Sequence, residues 1–231
     1  MKTISKILSF CVSFCLILVI LITSIDLVAT NLSFYKNQYA KGSQAAQIGM
    51  SDEDLLNATE TLLDYIQDKR DDIVVHANVL GTDREVFNER ETLHMVDVKN
   101  LYLGAINVRN ILMIVSLIGV IALIILEKNP LPSLKISFLP AFGLFLVLVV
   151  AIIIWAVLDF TNFWIQFHYI FFDNDLFFLD PNTSIMINMF PEEFFFQMVI
   201  MIILVFFVLV AIIYALLYFL DKRFHATYRT V

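Results

Sequence analysis

Four apolar stretches, residues 7–25, 108–126, 138–158 and 194–220, constrain this chain more than any other feature. A spanning helix needs about 20 mostly apolar residues, because in hydrocarbon every backbone N–H and C=O must pair within the protein. With 60% hydrophobic residues among 231, 22 of them Phe, a water-soluble surface is out of reach. The expectation is therefore an all-α integral membrane protein with four transmembrane helices and a largely helical extracytoplasmic domain between helices 1 and 2. The first stretch has a second reading as a cleaved signal peptide behind Lys2 and Lys6. Against it, the run exceeds the usual apolar length of about 7–15 residues, and Leu27, three before the cut that Ala29 would mark, is not small.

Lys and Arg placement sets the expected orientation, because short cytoplasmic loops retain positive charge. With both ends inside, the N-terminus (1–6), the loop 127–137 and the tail 221–231 carry seven basic and two acidic residues, a net of +5. The outer side, Arg109 included, carries eight basic and twenty acidic residues, a net of −12, divided between the domain 26–107 and the loop 159–193. Cys11 and Cys15 lie four apart on one face of the first helix and read as small packing residues, with S-acylation or a redox role as the other reading. No outer cysteine means no disulfide framework and no thiol nucleophile there.

Within the outer domain, Ser51-Asp52-Glu53-Asp54 reads as a capped, acidic helix start. Leu55, Leu56, Ala58, Leu62, Leu63 and Ile66 follow at helical spacing. Ile73 to Val79 reads as a short strand or extended link. A second helix is expected from near Asp83 straight into the second span, because Gly104 costs only about 1 kcal/mol in a helix. The inner Glu127-Lys128-Asn129-Pro130-Leu131-Pro132-Ser133 is a proline-broken connector that makes spans two and three an antiparallel hairpin. The chain has no Gly-rich phosphate loop and no basic aromatic patch for nucleic acid.

Between Asp159 and Glu193 there is no Lys or Arg, yet six carboxylates (Asp159, Asp173, Asp175, Asp180, Glu192, Glu193) lie among Phe, Trp and Tyr. Such a stretch is too aromatic to float in water and too acidic to cross a bilayer, so it belongs at a membrane surface, where it doubles as an aromatic belt. It holds His168. Of the other histidines, His225 reads as an interfacial anchor beside Lys222 and Arg223, and His76 as a surface residue. His94 shares a helix face with Arg90 and Asp97, so Asp97 can orient the imidazole and Arg90 offers a donor. Antiparallel spans bring His94 and His168 to the same side of the bilayer. Two imidazoles with nearby carboxylates suit proton transfer at neutral pH or a metal site. The metal reading is the weaker: there is no His-Glu-x-x-His pattern and no outer Cys. No Gly-x-Ser-x-Gly turn supplies a serine nucleophile.

The segment His94-Met95-Val96-Asp97-Val98, then Phe167-His168-Tyr169-Ile170-Phe171-Phe172-Asp173-Asn174-Asp175, Leu179-Asp180-Pro181 and Met189-Phe190-Pro191-Glu192-Glu193-Phe194-Phe195, resembles the lipoprotein intramolecular transacylase family of Gram-positive bacteria. The similarity covers nearly the whole chain. Two positions depart from the family pattern: Phe177 stands where Trp is frequent, and Ser184 where Asp is common. The resemblance implies an acyltransferase of the cell membrane, needing no cofactor, whose partners are the bilayer and a diacylated lipoprotein bearing an N-terminal S-diacylglyceryl cysteine. The sn-2 acyl chain would move to that cysteine's own α-amine, giving the N-acyl S-monoacylglyceryl (lyso) form. His94 and His168 would be the catalytic pair, with His168 taken as base. Asp97 and Asp175 are candidate orienting groups, and Asn174 and Tyr169 candidate oxyanion donors. The reading from a different class is a non-enzymatic membrane accessory or sensor whose outer domain binds a partner.

Overall fold

The computed structural model describes residues 2–228, and side chains from 3 to 223. The side chains of Lys2, of the proposed anchor His225 and of Arg229 thus lie outside what is described. In chain order the elements are α1 (Lys2–Ala29), α2 (Leu32–Gly42), α3 (Gln44–Ile48), α4 (Asp52–Ile66), β1 (His76–Val79), β2 (Thr82–Glu85), α5 (Glu89–Glu127), α6 (Leu131–Leu158), α7 (Phe160–Phe171), α8 (Ile185–Met189) and α9 (Glu192–Tyr228). Four helices, α1, α5, α6 and α9, are long and apolar enough to cross a membrane. The chain divides into two compact units.

The first unit holds α1 up to Asp26, α5 from Ile106, α6, and α9 from Met201. Ile17 and Ile20 of α1, Phe138, Ala141 and Phe145 of α6, and Phe206 and Val210 of α9 form its core. Ile114, Leu117, Ile118, Val147 and Leu204 stay exposed, as lipid-facing residues should. Gly119 of α5 permits close approach to α1: a Cβ there would lie 2.4 Å from Val12 Cγ2. Asp26 accepts a hydrogen bond from Arg109 at 2.6 Å, and Lys135 pairs with Asp221.

The second unit comprises Leu27–Ala105 and Asp159–Ile200, so the aromatic loop and the large domain form one packed body. Its core includes Leu55, Ala58, Leu62, Ile73, Val86 and Met189, with an aromatic cluster of Phe34, Tyr35, Tyr39, Phe190 and Phe194. The Tyr35 hydroxyl donates to the Ala29 carbonyl (2.7 Å) and Tyr39 bonds Thr59 (2.8 Å), so both polar tips are satisfied inside it. On α4 the Ser51 side chain accepts from Asp54 N–H, and buried residues recur along one face.

Two local expectations need correction. Thr82–Glu85 is a strand, antiparallel to His76–Val79 with Val79 opposite Thr82, and helix α5 begins at Glu89 rather than near Asp83. The two-residue turn Leu80-Gly81 has positive φ at both positions (53° and 85°), the twist that a tight hairpin requires. From Glu89 the helix runs unbroken through Gly104. The inner connector is also shorter than its prolines suggest, because α6 already begins at Leu131. Pro132 sits in its first turn, where an N–H has no intrahelical partner to lose.

Candidate active site

Both candidate histidines lie in the second unit, and the fold brings them together. His94 is on the second turn of α5 and His168 near the end of α7, whose start is capped by the Asp159 carboxylate accepting from Asn162 N–H. Their ring centroids are 6.0 Å apart with 31° between planes, and each residue is only 8% exposed.

Aromatic rings enclose the pair. Phe172 lies 5.5 Å from His94 and 5.6 Å from His168, Phe177 stacks on His168 at 4.6 Å, and Trp164 meets it edge-on at 5.0 Å. His168 Nδ1 lies 2.7 Å from the Trp164 carbonyl oxygen, one turn earlier on α7. A carbonyl only accepts, so this bond requires Nδ1–H and leaves the Nε2 lone pair of the neutral ring free as a base. His94 Nδ1, by contrast, is buried with no partner among the described residues. Burial, the charge His168 would carry when protonated, and Arg90 hold the His94 pKa down, against the pull of Asp97, at about 4. Burial also lowers that of His168, opposed by the Trp164 carbonyl. At neutral pH both rings are therefore uncharged.

The remaining candidates surround the pair without touching either ring by hydrogen bond. Asp97 accepts from Asn174 Nδ2 at 2.9 Å, and Asn174 Oδ1 in turn accepts from Leu176 N–H. Arg90 donates to the Phe178 carbonyl (3.1 Å) and to that of Asp175, so Asp175 enters through its backbone. Tyr169 is about half exposed and packs on Phe177 and Phe178. An open cleft of about 220 Å³ beside Phe172 is lined by Asp97, Asn100, Leu101, Phe171, Asp173 and Asn174. His76 is exposed on β1. Among the described residues, no group of three or more His, Cys, Asp and Glu side chains converges as a metal site would require.

One residue escaped the sequence reading. Glu91 is completely buried; its Oε2 accepts from Asn88 N–H at 2.6 Å, while Asn88 Oδ1 accepts from Glu91 N–H. This reciprocal capping box was visible as Asn88-x-x-Glu91 ahead of an apolar run. The other oxygen, Oε1, accepts from Ser184 Oγ (2.5 Å) and Met186 N–H (2.8 Å), a link no local pattern reveals. The departure at Ser184 thus places a hydroxyl donor, where Asp would have set a second carboxylate against Glu91.

The family described as lipoprotein intramolecular transacylase Lit matches residues 10–195. No curated protein sequence matches. Among solved structures, the membrane-integral lipoprotein intramolecular transacylase Lit from Bacillus cereus is similar at TM-score 0.78 and 19% identity, covering 98% of this chain and all (100%) of that one. Two variants of the Bacillus protein, with one histidine replaced by arginine or by alanine, give TM-scores of 0.77 and 0.76, each at 21% identity. The arginine variant match covers 98% of this chain and 96% of the other, and the alanine variant match 97% of both.

Proposed function

The chain belongs to the lipoprotein intramolecular transacylase family, and on that premise we propose that His94 and His168 are its catalytic pair. The protein is a membrane-integral acyltransferase of lipoproteins. The substrate form proposed is the diacylated lipoprotein, whose sn-2 acyl chain passes to the α-amine of the same N-terminal cysteine. The observation that carries the reading is the buried imidazole pair, with His168 Nδ1 on the Trp164 carbonyl and His94 Nδ1 unpartnered among the described residues.

An α-amine with pKa near 8 attacks as the free base. Its nitrogen bonds to the ester carbonyl carbon, the carbonyl electrons move onto oxygen, and His168 Nε2 takes a proton from that nitrogen. A neutral His94 N–H, aimed at the developing oxyanion, stabilises it without itself being an acid that must first be charged. Collapse breaks the bond to the sn-2 glyceryl oxygen, which leaves with the proton carried by His168. One amide is made, one ester becomes a hydroxyl, and both imidazoles return to their starting state. Donor and acceptor belong to one molecule, so proximity supplies much of the rate, and no acyl-enzyme is needed. The aromatic enclosure suits acyl chains, and the neighbouring Asp97 and Asn174 hold its polar edge.

Positive charge near the span ends supports both chain termini and the 127–137 loop in the cytoplasm, with the histidine pair on the outer face. The test is expression in a host that makes diacylated lipoproteins. Substrate and product are isomers of equal mass, so tandem mass spectrometry of the N-terminal peptides must read the fragments. N-acylated S-monoacylglyceryl cysteine is expected, also after exhaustive chelation. Unchanged diacylglyceryl peptides, with the protein abundant and folded, overturn the proposal.

A further inference from the structure

We propose that Glu91 is a positioning residue for the acyl transfer: its carboxylate sets the register between the α5 turn carrying His94 and the 175–186 segment that covers His168. This rests on the function proposed above and deepens it. Glu91 is 0% exposed, yet its hydrogen bonds reach both ways. Oε2 holds Asn88 N–H at the start of α5, and Oε1 holds Ser184 Oγ and Met186 N–H at the start of α8. Two of these partners are amide donors, one on each oxygen, so a carboxylate with two accepting oxygens fits where a glutamine would turn its NH₂ against one of them.

The adjacent Arg90 grips the other end of the same segment through the carbonyls of Asp175 and Phe178. Phe177, held between those two carbonyls, is the ring stacked on His168. Adjacent residues on one helical turn thus fasten both ends of the segment, and His94 follows Glu91 by three residues on the same helix. If covering the segment were all that mattered, apolar packing would serve as well as a buried carboxylate. What directional hydrogen bonds add is a single register, and a misplacement of about 1 Å at a reacting group costs on the order of 10²-fold in rate.

The test compares purified full-length wild type, Glu91→Gln and Ser184→Ala in lipid vesicles, using a synthetic S-diacylglyceryl cysteine peptide. Expected are a kcat lower by about 10²-fold for Glu91→Gln and about 10-fold for Ser184→Ala, with KM within about twofold. Ser51→Ala, which removes the α4 cap elsewhere in the unit, serves as a stability control that lowers the thermal midpoint and leaves kcat alone. NMR signals of the two imidazoles are read in parallel and are expected to shift in Glu91→Gln. Wild-type kcat and unshifted imidazole signals in folded Glu91→Gln overturn the positioning role; if that variant does not fold, wild-type kcat in Ser184→Ala does so. Absence of turnover in the wild type defeats the proposed function instead, and the imidazole signals still judge the register.

Discussion

The two units distribute their buried polar contacts differently. In the membrane-spanning unit, Ser24 Oγ returns its proton to the Ile20 carbonyl one turn back, and Ser9 Oγ bonds the Lys6 carbonyl and Ser137 Oγ. A hydroxyl bonded within its own helix positions little, while the Ser9–Ser137, Asp26–Arg109 and Lys135–Asp221 pairs hold helix against helix at points spread along the bundle. In the second unit Glu91, His94, His168 and Ser184 are equally buried, and their bonds and ring contacts, between positions 74 to 95 residues apart, gather around one site. Contacts spread along a bundle make a scaffold that tolerates the loss of any one of them, while contacts concentrated on one site fix relative placement, which acid–base chemistry demands.

The largest effect that would test this contrast is on turnover. His168→Ala is expected to lower conversion by about 10³-fold or more and His94→Ala by about 10²- to 10³-fold, in protein that stays folded. Full activity in either variant, measured by tandem mass spectrometry of the lipopeptide, would remove that residue from the mechanism.

Next comes pH. His94 titrates at about 4 in the folded protein, below its ordinary 6.5, so the unfolded chain binds more protons between those values. The stability that the neutral buried ring confers is complete above about pH 6.5 and is lost as pH falls toward 4, on the order of 3 kcal/mol over the window. The thermal midpoint should fall across that range, and the fall should shrink in His94→Phe. An equal fall in His94→Phe would assign the acid sensitivity to other groups.

Gly119→Val sharpens the other side. It drives a side chain into Val12 and is expected to destabilise by about 1–3 kcal/mol, lowering the thermal midpoint while kcat per folded enzyme holds. A lost kcat at normal stability would mean that the scaffold also tunes the site. Ser24→Ala should have the smallest effect, under about 1 kcal/mol by the same melt, because among the described residues its hydroxyl bonds within its own helix.

Much of this was written along the chain. The four spans follow from runs of apolar residues whose backbone can pair only within a helix, and α4 from a Ser51 cap and periodic leucines. These are local properties, so local pattern reveals them. His94 and His168 stood out by residue type and by resemblance to a family. The β hairpin did not stand out, because its turn uses Leu80 with Gly81 instead of a pair that favours positive φ at both positions. Nor did Asp97 reveal that it pairs with Asn174, or Arg90 that it serves two backbone carbonyls. Only packing decided that the large domain and the aromatic loop form one body, that the Trp164 carbonyl selects the His168 tautomer, and that a buried Glu91 joins α5 to α8. The physical reason is that a hydrogen bond or ring contact between distant segments depends on where tertiary folding places each of them, and the residues flanking either one do not encode that distance.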